Sequence, residues 1–128
     1  MSYRGLREWL SQVESFGELR TVEGADWNLE IGAITEMARK EAKIAPCIVF
    51  DAIKGYPKGW RLAVGLLNSI KRVALTTNMP LDLPAMEFVR TWRQRIKDMK
   101  PVPPVQVKGG AFMENVWEEK DVDLLRFP

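Results

Sequence analysis

Cys47-Ile48-Val49-Phe50-Asp51-Ala52-Ile53, a turn Lys54-Gly55-Tyr56-Pro57-Lys58-Gly59, and then Arg61-Leu62-Ala63-Val64-Gly65-Leu66-Leu67 form the stretch that decides the fold. Each apolar run has strand length, and the Gly and Pro content between them is that of a turn, so two strands around a loop are expected. Upstream, Glu18-Leu19-Arg20-Thr21-Val22 alternates polar and apolar residues as a half-buried strand does. Leu6, Trp9, Leu10 and Val13 take the i, i+3, i+4, i+7 spacing of one helical face, and Gly17 stands where a left-handed cap would end a helix running from about Arg4 to Phe16. A second helix follows Gly24 to Asn28, capped by Asp26 or Asn28, with Ile31, Ile34, Met37 and Ala38 on its buried side, ending by Ile44 ahead of Pro46.

Downstream, Ser69 is placed to cap a helix reaching about Thr77, and Pro84 suits the first turn of another whose apolar side holds Phe88, Val89, Trp92, Ile96 and Met99. Lys100-Pro101-Val102-Pro103-Pro104 must be extended, because three prolines remove donors and fix φ. Beyond it, 105–107 and 111–117 read as strand-like pieces before an acidic turn. The expected fold class is α/β (α+β layered), a small mixed sheet with helices. The organisation is a 1–100 N-terminal α/β domain, a 101–104 proline-rich boundary, and a 105–128 segment opening an all-β unit.

Composition narrows the chemistry. The 128 residues are 46% hydrophobic and 28% charged, ordinary for a globular domain. No apolar run approaches the ~20 residues that span a bilayer, and the N-terminus enters an amphipathic pattern directly, so a cytoplasmic chain without a membrane partner is expected. Cys47 is the only cysteine and histidine is absent, which removes Cys/His zinc sites, Ser-His-Asp triads and Cys-His pairs. At the head of its apolar run, Cys47 reads as a small buried hydrophobe.

The net charge of +2 is uneven: residues 51–110 carry eleven Lys/Arg against four Asp/Glu, and 111–128 carry two against five. Arg90, Arg93, Arg95, Lys97 and Lys100 around Trp92 have the cation and aromatic mix of a nucleic-acid binder. Yet Trp92 falls on the apolar stripe, so a solvated face or an interface with an acidic neighbour is the reading, and no nucleic-acid partner is expected. The 55–59 turn lacks the glycine and lysine spacing of a phosphate loop. Glu114, Glu118, Glu119, Asp121 and Asp123 lack EF-hand spacing and read as a solvated turn.

Several strings resemble the opening of the UbiD family of decarboxylases. They are Leu6-Arg7-Glu8-Trp9-Leu10 with Gly17-Glu18-Leu19, Leu29-Glu30-Ile31, Val49 to Pro57 with its Lys-Gly-Tyr-Pro turn, and Asn68-Ser69-Ile70-Lys71-Arg72-Val73-Ala74-Leu75. Glu114-Asn115-Val116 and Asp121-Val122-Asp123-Leu124-Leu125-Arg126-Phe127-Pro128 are similar to the family's passage into its flavin-binding split β-barrel. The resemblance therefore implies that 105–128 are the first strands of that domain, with members of the family continuing past Pro128. It also implies reversible decarboxylation of an aromatic or α,β-unsaturated acid with prenylated FMN, Mn²⁺ and K⁺. The catalytic arginine and paired glutamates, with the cofactor and metal ligands, are implied for the later domains. No catalytic, cofactor-binding or metal residue is assigned within 1–128, and the chain alone is expected to bind none of these groups and to be inactive. The implied partners are the remaining flavin-binding and C-terminal domains, or a second chain carrying them, and a homo-oligomer of the complete enzyme. The competing reading is a stand-alone interaction module.

Overall fold

The computed structural model describes residues 3–128. Helix α1 (Leu6–Ser15) ends where Gly17 takes φ +80, the left-handed conformation that glycine adopts without a Cβ penalty. Strand β1 (Leu19–Glu23) follows, then α2 (Glu30–Glu41), β2 (Cys47–Asp51) and β3 (Leu62–Val64). Helices α3 (Ile70–Thr76) and α4 (Ala85–Asp98) complete the regular structure. The three strands form one mixed sheet in the order β1-β2-β3. β1 runs parallel to β2 with Leu19 beside Cys47 and Val22 beside Phe50, and β3 runs antiparallel with Leu62 beside Phe50 and Val64 beside Ile48.

Because side chains alternate across a strand, this register sorts residues into two layers. Ile48 and Phe50 of β2, with Val22, Leu62 and Val64 of its neighbours, face α2, where they pack with Ala25, Ile31, Ile53, Ile34 and Ala38. Cys47 and Leu19 face the other way, against Trp9 and Val13 of α1 and Leu75 of α3. A third cluster, Ala74, Met79 and Phe88 with Trp92 beside them, joins α3 to α4. The α+β layered fold with a small mixed sheet is the one expected.

The differences lie at the margins. Asp26, not Asn28, organises the start of α2: its carboxylate accepts from Asn28 N–H at 2.9 Å, while Glu30 reaches back to accept from Asp26 N–H at 2.7 Å. Both N–H groups precede Glu30, so the pair shapes the turn into α2, and the expected side-chain cap by Asp26 or Asn28 is not formed. Ser69 caps α3 as expected, its hydroxyl accepting from Arg72 N–H at 3.1 Å. Leu6 on α1, Met37 on α2, and Val89, Ile96 and Met99 on or just after α4 are exposed, although each sits on a periodic apolar stripe. Periodicity marks a face that a neighbour could cover, and only Phe88 and the half-buried Trp92 of the α4 stripe meet one among the described residues. Residues 105–107 and 111–117 form no strand. Residues Ala111–Met113, Glu119–Asp121 and Leu124–Arg126 are single 3₁₀ turns instead, and 101–110 carry no regular structure. A strand needs an adjacent edge to pair with, and the segment lies beside none.

Candidate functional site

Two arrangements of side chains stand out, one inside the fold and one at its surface. Inside, the guanidinium of Arg72 on α3 is fully buried. It donates from Nη1 to Glu18 Oε2 at 3.0 Å and from Nη2 to the carbonyl of Ala45 at 2.6 Å. Ser69 Oγ donates to the same Glu18 oxygen. The carboxylate thus ties the start of β1 to α3, and the arginine ties α3 to the loop entering β2. Among the described residues, Arg72 Nε and Gln12 Oε1 are buried without a hydrogen-bond partner. Cys47 lies in the same region, fully buried, and burial pushes its thiol pKa up while Arg72 pulls weakly the other way. A raised thiol is a poor nucleophile, so Cys47 is packing material.

At the surface, the turn after β2 meets the end of the chain. The hydroxyl of Tyr56 lies 3.0 Å from the carbonyl of Leu125 and 2.7 Å from that of Phe127, sharing one donated hydrogen between them. Phe127 stands edge-on to Trp60, ring centroids 5.6 Å apart, and 5.7 Å from Trp117, over which Arg126 lies at 4.7 Å. Neither motif alone suggested this contact; the two strings involved are about 70 residues apart, and no periodicity reports such a distance. A separate hollow of about 1050 Å³ opens where α1 leaves the sheet uncovered, with Thr21, Val49, Asp51 and Ala63 on its floor and Arg7 and Arg61 on its walls.

The remaining sequence candidates are not assembled into a site. Among the described residues no group of three or more Cys, Asp or Glu side chains is placed to hold a metal ion, and the acidic residues 114–123 are spread along exposed turns. The 55–59 turn faces Leu125 and Phe127 and forms no ring of backbone donors. Arg90, Arg93, Lys97 and Lys100 are exposed, and Trp92 packs against the cluster of Ala74, Met79 and Phe88. Arg95 is committed to the carbonyls of Thr77 and Asn78 at 2.8 and 3.1 Å. Among the described residues no helix is long and apolar enough to cross a membrane.

Comparison with known proteins adds what this geometry leaves open. Residues 10–96 match the family described as the 3-octaprenyl-4-hydroxybenzoate carboxy-lyase N-terminal domain. The chain is 30% identical over 125 residues to phenolic acid decarboxylase of Bacillus subtilis (strain 168), covering 97% of this chain and 26% of that protein. It is 32% identical over 132 residues to pyrrole-2-carboxylic acid decarboxylase of Pseudomonas aeruginosa, covering 95% and 26%. Among solved structures, vanillic acid decarboxylase of Sedimentibacter hydroxybenzoicus in its closed form superposes with a TM-score of 0.69 at 26% identity, covering 97% of this chain and 26% of that one. Its open form gives 0.69 at 27% identity over 81% and 22%. The chain spans about a quarter of the length of the relatives it matches.

Proposed function

Because the chain belongs to the UbiD family, through its carboxy-lyase N-terminal domain, we propose that it is the scaffold domain of a decarboxylase acting on an aromatic or α,β-unsaturated carboxylic acid. The observation that carries this reading is the match of residues 10–96 to that domain, together with the decarboxylases to which nearly the whole chain is similar. Prenylated FMN, assisted by Mn²⁺ and K⁺, would supply the covalent chemistry of CO₂ loss in the complete enzyme. Among the described residues no group of three or more Cys, Asp or Glu side chains is placed to hold a cation. No catalytic step is therefore assigned to this chain, and the arginine and glutamates of the reaction belong to other domains. Its own residues serve to hold a rigid layered body, through the Glu18 and Arg72 pin, on which those domains pack. In this reading 105–128 lead into the flavin-binding split barrel, the complete enzyme is a cytoplasmic homo-oligomer, and the partners are its remaining domains.

The test is reconstitution. The purified chain is expected to be colourless and inactive toward cinnamic and hydroxybenzoic acids, and activity is expected only with a second polypeptide carrying the remaining domains. Stoichiometric flavin on the chain alone would overturn the reading. A stand-alone interaction module is the second reading, favoured by one observation. On α4 the exposed Met86, Val89 and Ile96 run beside Arg90, Arg93 and Lys97, an apolar strip with a cationic border. Binding to another protein with no activity in any reconstitution would select it.

A further inference from the structure

The strings Lys54 to Pro57 and Asp121 to Pro128, which the proposed reaction does not use, meet in space. We infer that the loop from Gly55 to Trp60 is a docking site for the chain's own segment 117–127, and that the pair forms a fixed joint setting the position and heading of that segment before any partner is present. This rests on the scaffold reading for its purpose, since such a joint would orient whatever the family places next, but the joint itself is made by this chain alone.

The receptor side is built on the core. Tyr56 is half-buried and packs against the cluster of Ile48, Phe50 and Ile53, so its hydroxyl is presented from a rigid base. Gly55 at φ +85 and Gly59 at φ +98 fold the loop tightly enough to bring the ring centroids of Tyr56 and Trp60 to 6.4 Å. The docked side is organised in advance. Asp123 Oδ1 accepts from Leu125 N–H at 3.0 Å, and Phe127 N–H donates to Leu124 O at 3.3 Å, which leaves the carbonyls of Leu125 and Phe127 to Tyr56. Recognition is therefore specific: one hydroxyl reads two carbonyls two residues apart, and two indoles flank one phenyl ring. Since 101–110 have no regular structure, nothing upstream sets the register of 117–127, and the anchor must. A hollow of about 440 Å³ beside the ring cluster means that dense packing does not substitute for it.

Amide hydrogen exchange on residues 1–128 as a monomer tests this, with Tyr56→Phe removing the two hydrogen bonds and Trp60→Ala removing the ring contact. In the wild type, Arg126 and Phe127 amides are expected to exchange at least about tenfold more slowly than those of 105–110. Each variant is expected to lower that protection about tenfold, while residues 47–51 stay as slow as before in Tyr56→Phe, a change too small to unfold the domain. Exchange of Arg126 and Phe127 at the rate of 105–110 in the wild type would refute the joint. So would protection unchanged in both variants, or protection present only at concentrations where the chain self-associates, which would place the segment on another copy. Because no flavin or substrate enters the measurement, its failure leaves the decarboxylase reading standing, and the reverse holds for reconstitution.

Discussion

Glu36 on α2 accepts from Nε and Nη2 of Arg39, each at 2.8 Å, and pairs with Lys40 at 3.3 Å, one turn along the same helix. The hydrogen bonds from Arg39 and then Lys40 lower its pKa from 4.5 to about 2. With the folded value depressed, whatever the pairing contributes is present above the unfolded pKa and is lost as pH falls from about 4.5 through about 2. The group is fully exposed, so the consequence is a titration and not a measurable change in stability. An NMR titration should find the Glu36 midpoint well below that of an ordinary glutamate, and Arg39→Gln should move it back up. Trp9 is the opposite kind of residue, 3% exposed, with its indole N–H donating to Thr76 Oγ1 at 3.1 Å. Trp9→Ala should cost about 3 to 5 kcal/mol in urea unfolding. Trp92→Ala should cost less, because that ring is only partly buried at the edge of its cluster; equal costs would contradict the packing of α4.

At the scale of elements, the start of β1, α3 and the loop entering β2 are held by one buried ion pair whose worth depends on both partners being present. Arg72→Met alone should destabilise by about 3 to 5 kcal/mol, because it strands the Glu18 carboxylate beside an apolar group. Glu18→Leu combined with Arg72→Met should recover most of that loss in a double-mutant cycle, since matched apolar groups need no compensation. Additive losses would show that the pair contributes no coupling. The sequence made the helices legible wherever a stripe had something to cover: Trp9 and Val13 are buried as the spacing of α1 implies. It misread the stripe of α4, because period 3.6 gives a helix its apolar side without saying whether Val89, Ile96 and Met99 have a neighbour. The same limit applies to 105–107 and 111–117, where apolar residues suggested strands that no adjacent edge supports. The pin itself had no signal: Glu18 and Arg72 are an ordinary acid and an ordinary base until the fold brings them together.

For the whole molecule, the layered arrangement was readable because helices alternate with short strands, and Cys47 to Phe50 is buried throughout, as a strand covered from two sides requires. The clasp at Tyr56 was not readable as a contact, although both of its strings were singled out as motifs, since spatial convergence of distant loops leaves no local pattern. The central position of β2 also determines an order of events in time. Its pairing with β3 closes only residues 52–61, whereas its pairing with β1 closes 24–46, including a whole crossing helix. Doubling a loop adds only about 0.6 kcal/mol to its closure, but the longer closure must also order α2 before its contacts reward it. The hairpin of β2 and β3 should therefore form before the barrier and the parallel pairing after it. In stopped-flow chevrons Leu62→Ala should mainly slow refolding, and Leu19→Ala should mainly speed unfolding. The opposite partition would mean that the crossing helix, and not the hairpin, is the seed from which this domain grows.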